Sequence, residues 1–232
     1  MTEALRFAVD AVLIDIEGTV SPQSYVATVM FPYARDRLAD YVARHGDTPE
    51  VRAILEETAA LAGPGADPVG ALLGWIAEDR KAPPLKKIQG LIWDRGFAEG
   101  ALEGPIYDDA VAALRRWREA GLPLYVYSSG SVKAQHLFFG HSSAGDLRPL
   151  FSGHFDTETG AKTDAASYLT IARAIGRAPE RVLFLSDNPR ELEAAAAAGM
   201  PVGHALREAT PADPRFPSVR DFGALDLRPG AA

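Results

Sequence analysis

Three apolar runs in this chain of 232 residues end in the same way. Residues 7–15 read FAVDAVLID, 122–127 read LPLYVY and 181–185 read RVLFL. Each is short and rich in β-branched or aromatic residues, which is strand chemistry. Each then meets small or polar residues: Glu17-Gly18-Thr19, Ser128-Ser129-Gly130 and Ser186-Asp187-Asn188. Helical spacing fills the intervals at 108–120, 132–139, 163–175 and 189–198, with Gly121, Gly176 and Gly199 placed as stops and Asn188-Pro189 as a start. Residues 153–155 read as a short edge strand, 201–205 as a weaker last strand, and 211–217 as a Pro-rich irregular tail. Strands alternating with helices imply right-handed crossovers. The expectation is an α/β fold, a Rossmann-like, mainly parallel sheet with helices on both faces.

The first strand is separated from the others by a different kind of sequence. Residues 30–44, 49–62, 68–80 and 85–100 are spaced as helices, and the breaks between them carry Gly and Pro. This block reads as an inserted helical cap. The expected division is an α/β catalytic core of 1–21 with 105–232, and a helical cap of 22–104. Phe31, Trp75 and Trp93 lie at helical positions and read as core. The histidines His45, His136, His141, His154 and His204 show no metal-binding spacing and read as structural.

Composition narrows the function. With 24 basic and 31 acidic residues the net charge is −7, which argues against a nucleic-acid binder or an anionic-membrane binder. There are no cysteines, so disulfides, thiolate catalysis and Cys-based metal sites are excluded. No leader is expected at the N-terminus, where Asp10 and Asp15 interrupt the apolar run. A cytoplasmic protein is the reading.

In open α/β sheets ligands bind outside the carboxyl ends of the strands. That rim would gather Asp15, Glu17 and Asp187, the hydroxyls of Ser128 and Ser129, and Lys162 from the segment before a helix. Carboxylates so crowded repel one another unless a proton or a cation intervenes. A hard divalent cation with oxygen ligands, Mg²⁺, suits them.

The same order of loops resembles the haloacid dehalogenase superfamily. The stretches IDIEGTVSP, VMFPYA, IQGLIW, GPIYDD, VYSSGSVKAQHLFFGHSSAGDL, GHFDTETGAKTDAASY and FLSDNPRE resemble, more closely, the enolase-phosphatase family of methionine salvage. The resemblance runs over residues 12–191. It implies an enzyme that enolises 2,3-diketo-5-methylthiopentyl 1-phosphate and then removes the phosphate to give the acireductone 1,2-dihydroxy-3-keto-5-methylthiopentene. It implies Asp15 as nucleophile, forming an aspartyl-phosphate, and Glu17 as acid and then base. Lys162 would pair with the phosphate and Asp15, and Ser128 and Ser129 would hold a phosphoryl oxygen. Asp15, Asp187 and Glu17, the last through its carbonyl, would hold Mg²⁺, with Glu191 as an outer acid or a water in its place. The group that removes the carbon-bound proton is left unassigned. The methylthio end would need a greasy wall from the helical cap and residues 21–30, with Phe31, Trp75 and Trp93 as candidates, and His141 and His154, in resembling stretches, could line the site. The expected partner is a small phosphorylated substrate, with no nucleic acid and no membrane, and the expected state is a monomer. The alternatives are a generic Mg-dependent sugar-phosphate or nucleotide monophosphatase on the same scaffold, and a non-catalytic binding protein that keeps the fold.

Overall fold

The structure is a computed structural model that describes residues 4–78, 80–208 and 210–228. The chain divides into two compact units, Met1–Ser24 with Glu103–Ala232, and Tyr25–Leu102.

The first unit is built on a six-stranded sheet in the order β4-β3-β2-β5-β6-β7, with every neighbouring pair parallel. Its strands are β2 (Ala11–Ile14), β3 (Leu124–Tyr127), β4 (Phe151–Phe155), β5 (Val182–Ser186), β6 (Val202–Ala205) and β7 (Ser218–Val219). Helices α5 (Asp108–Glu119), α6 (Val132–Gly140), α7 (Ala165–Ile175) and α8 (Pro189–Ala197) connect them. In the middle of the sheet β2 pairs with both β3 and β5, so Leu13 lies beside Tyr125 and Phe184. All four residues of β2 are buried. On one face Leu13, Tyr127 and Phe184 pack with Tyr168, Ile171 and Leu192 of α7 and α8.

The expected strand at 7–15 is two strands. β1 (Leu5–Ala8) leaves the main sheet and pairs in parallel with β8 (Leu225–Arg228). The break falls at Asp10, whose carboxylate receives two hydrogen bonds from Arg181 at 2.8 and 2.9 Å. A charge held at the sheet margin interrupts the apolar run, and the chain resumes as β2. The tail after residue 217 also carries two strands, β7 and β8, which the sequence did not suggest.

Helix starts follow the local chemistry. Ser131, Asp164 and Asn188 each accept a main-chain N–H of the following helix, opening α6, α7 and α8. Gly176 takes φ 73° and closes α7. α6 and α8 therefore begin within a few residues of the ends of β3 and β5.

The second unit is helical: α1 (Phe31–His45), α2 (Pro49–Ala62), α3 (Pro68–Ala77) and α4 (Pro83–Ala98), preceded by a π-helical turn at Val26–Met30. The expected helix at 68–80 ends at Ala77, and residue 79 lies outside the described residues. Leu38, Leu72, Ile88 and Trp75 form the centre of this unit. Trp93 packs against that core and donates its indole N–H to Met30 O at 2.8 Å. Among the described residues no helix is long and apolar enough to cross a membrane.

Candidate active site

The strand ends of the first unit do converge. Asp15, Glu17, Ser129, Lys162, Asp187 and Glu191 line a cavity of about 560 Å³. Ser128 sits fully buried behind them and donates its hydroxyl to Glu17 Oε2 at 3.2 Å.

Asp15 follows β2 directly, and its N–H donates to Leu185 O at 3.0 Å, which ties it to the neighbouring strand. Its carboxylate Oδ1 accepts from Lys162 Nζ at 2.5 Å, and Glu191 Oε2 lies 2.7 Å from the same nitrogen. Lys162 is only 7% exposed. Three contacts pin its segment. Tyr168 OH donates to Lys162 O at 2.7 Å, Tyr127 OH donates to Gly160 O at 2.9 Å, and Ser167 Oγ donates to Ala161 O at 2.8 Å. Burial works against the ammonium, yet Asp15 and Glu191 outweigh it, and the pKa of Lys162 lies above the ordinary lysine range.

The carboxylate pKa values rise as well, which for an acid favours the neutral form. Burial, with Asp15 nearby, raises Glu17 above the usual carboxylate range, against the opposing pull of Lys162 and Ser128. Burial and Asp15 also raise Glu191. Asp187 is pushed up to about 7 by burial, then by Asp15 and Glu191. Lys162 thus faces four acids, and that cluster holds excess negative charge unless protons or a further cation enter it. Among the described residues no three acidic or histidine side chains are gathered as a ready-made metal cage.

Several supports were not legible in the sequence. Thr19 Oγ1 accepts the N–H of Asp187 at 3.0 Å, joining the loop after β2 to the loop after β5. Arg207 donates to Thr19 O at 3.0 Å and to both carboxylate oxygens of Asp109, at 3.0 and 2.8 Å. Its guanidinium lies between the rings of Tyr107 and Phe222, 4.6 and 4.5 Å from their centres. Gly18 takes φ 73°, and a Cβ there would fall 2.2 Å from Asp187 Oδ2. That glycine therefore lets the two acidic loops approach. His204 is buried behind Asp187 and donates from Nε2 to Asp187 O at 3.1 Å. Glu191 spends its oxygens on Lys162, Ser186 Oγ and Asn188 Nδ2. His141 and His154 do not line the cavity.

The fold and this rim belong to a known class. A model of the haloacid dehalogenase-like hydrolases matches residues 9–199 of the chain. Within that class the similarity is closer to one group. The chain is 58% identical over 225 residues to Enolase-phosphatase E1 of Bradyrhizobium sp., covering 97% of each. It is 53% identical over 222 residues to Enolase-phosphatase E1 of Azotobacter vinelandii, covering 94% of this chain and 97% of the relative. Among solved structures, the UTR4 protein of Saccharomyces cerevisiae superposes with a TM-score of 0.80 at 35% identity, over 92% of this chain and 98% of that one. The chain belongs to the enolase-phosphatase family, haloacid dehalogenase-like hydrolases of methionine salvage.

Proposed function

We propose that this chain carries out both reactions of its family at the one rim, with Asp15, Glu17, Lys162, Ser128, Ser129 and Asp187 in the working roles. The substrate is 2,3-diketo-5-methylthiopentyl 1-phosphate and the product its dephosphorylated acireductone. The observation that carries this reading is the pairing of Lys162 with Asp15 and Glu191 beside an acid, Glu17, whose pKa is raised.

After enolisation, the phosphoryl group is cleaved from the enol oxygen. Lys162 occupies Oδ1 of Asp15, which leaves Oδ2 to attack phosphorus. As the new O–P bond forms, the bond from phosphorus to the substrate oxygen breaks. Glu17, whose pKa burial and Asp15 raise so that its protonated form is favoured, gives that oxygen its proton. Glu17 is then a carboxylate and takes a proton from the water that attacks the aspartyl-phosphate. Phosphate leaves and both side chains return to their starting states. Ser128 and the N–H of Ser129 hold a phosphoryl oxygen, and Lys162 balances the charge that gathers near Asp15.

Mg²⁺ fits the donor set. The Asp15 and Asp187 carboxylates and the Glu17 carbonyl are hard oxygen donors, and Asp187 reaches a pKa of about 7 without a cation. Those three groups would hold it, and water or phosphate would supply the remaining ligands, which suits an ion that keeps much of its hydration. Bound there, it would offset the repulsion between Asp15 and phosphate and the charge building on the phosphoryl oxygens. The reading also carries a cytoplasmic monomer with a small phosphorylated substrate and no nucleic-acid or membrane partner. The excess of 31 acidic over 24 basic residues supports the absence of polyanion partners.

A coupled assay tests the reading. Enol absorbance and phosphate release are followed separately with Mg²⁺ and then with EDTA. The expected result is an enol signal followed by phosphate release that EDTA removes. Turnover of simple sugar or nucleotide phosphates at the same rate, with no enol signal, would replace it with a generic monophosphatase.

A further inference from the structure

The loop Ser128-Ser129-Gly130 needs a fixed shape to present a hydroxyl and an N–H to one phosphoryl oxygen. Gly130 N–H donates to Ser128 Oγ at 3.1 Å, which bends the loop on itself. A further anchor comes from α6. Gln135 is 2% exposed, and its amide nitrogen donates to two carbonyls, Gly130 O at 3.0 Å and Phe155 O at 2.9 Å. Phe155 O also receives Ser128 N–H at 3.2 Å. One amide therefore bridges the loop after β3 to the end of β4. Its oxygen lies 2.9 Å from His154 Nδ1. The two carbonyls accept, so the nitrogen of Gln135 must face them and its oxygen must face His154, whose Nδ1 then carries the proton. Both amide hydrogens and the amide oxygen are used.

We infer that Gln135, oriented by His154, is a positioning residue that holds the Ser128–Gly130 loop in its phosphate-accepting shape. The inference rests on the proposed role of that loop and extends it to residues outside the cavity. It also gives a purpose to Gln135, a residue of the stretch SGSVKAQ that takes no direct part in the proposed reaction. His154 supports the arrangement by staying neutral. Burial, with His136 beside it, lowers its pKa to about 4. Its ring lies 4.3 Å from that of His136 and 5.6 Å from that of Phe151, centre to centre. Glutamate at position 135 would set a carboxylate against two carbonyl oxygens. Methionine would fill the volume and leave both carbonyls without their donor.

The test uses the full-length protein and inorganic phosphate as probe. Inhibition by phosphate and half-saturation by Mg²⁺ are measured for wild type, Gln135→Met, Gln135→Glu, His154→Phe and Ser128→Ala. The expected result for Gln135→Met is an inhibition constant about tenfold higher, the scale of a lost amide bond pair, with Mg²⁺ half-saturation unchanged. Gln135→Glu weakens phosphate more, and His154→Phe less. Combining Gln135→Met with His154→Phe weakens phosphate by less than the product of the two, because both act on one clamp. If Ser128→Ala weakens phosphate and Gln135→Met does not, the clamp is refuted. A parallel loss of phosphate and Mg²⁺ binding in Gln135→Met refutes it as well, since general loosening moves both. If Ser128→Ala itself leaves phosphate binding intact, the proposed role of the loop fails first.

Discussion

Replacing Arg207 by Met removes a guanidinium that joins three parts of the first unit. The side chain is 7% exposed and its partner Asp109 is 21% exposed. Removing one member of a buried pair costs about 3–5 kcal/mol, because the other charge stays behind without its partner. Asp109 keeps some contact with water and keeps the Phe222 N–H at 2.8 Å, so the lower end applies, about 3 kcal/mol. Hydrogen bonds to Thr19 O and Arg220 O are lost as well, at about 1 kcal/mol each. The expected loss is about 5 kcal/mol, which lowers Tm by roughly 10–20 °C for a chain of this size. Met keeps apolar bulk between Tyr107 and Phe222, so the loss reports on the polar contacts. Thermal melts and urea unfolding of Arg207→Met against wild type measure it. Because Thr19 also receives the Asp187 N–H, Mg²⁺ half-saturation should rise in the folded variant. A loss below about 2 kcal/mol would refute the claim that Arg207 is a buried, fully engaged tie.

Other consequences are equally direct. Asp187 is raised from 3.8 to about 7, so the folded metal-free protein binds its proton more tightly than the unfolded chain does. The stability from this group is present at low pH and is lost as pH rises from about 4 to about 7, by up to about 4 kcal/mol at about 1.4 kcal/mol per unit. The rise in Tm on adding Mg²⁺ should therefore be larger at neutral pH than at mildly acid pH, and equal shifts would contradict it. Gly18→Ala places a Cβ 2.2 Å from Asp187 Oδ2 at φ 73°. It should cost about 1–2 kcal/mol in stability but lower phosphate release about a hundredfold, because the acidic loops must part. Wild-type turnover in this variant would show that their close approach is not needed. Asp15→Asn should lose phosphate release by several orders of magnitude while retaining the native circular dichroism spectrum.

The sequence made the centre of the sheet and its rim readable because both follow from local rules. Short apolar runs, turn residues and helix caps marked β2, β3 and β5, and the residues just after them held Asp15, Glu17, Ser128 and Asp187. The resemblance implied one distant pair, Lys162 with Asp15, and the structure has it, but the other pairings between distant residues lay out of reach. Arg207 meets Asp109, 98 positions away, and neither belongs to a spacing that announces the other. The Lys162 contact with Glu191 depends on how α7 and α8 settle on the sheet, which no single segment encodes. Asp10 was read inside an apolar strand, because only its bond to Arg181 shows that the strand divides there. Gln135 stood within the stretch VYSSGSVKAQHLFFGHSSAGDL that carries the family resemblance, but only the fold brings two carbonyls onto its amide.

The central claim is that phosphate passes through a covalent bond to Asp15. The direct measurement is a single-turnover reaction with radiolabelled phosphate on the diketo substrate, quenched in acid at intervals. Label is expected on the protein early, located on the peptide that contains Asp15, decaying as free phosphate appears, and absent in Asp15→Asn. Free phosphate that accumulates with no label ever on the protein, or release at the wild-type rate from Asp15→Asn, would contradict it.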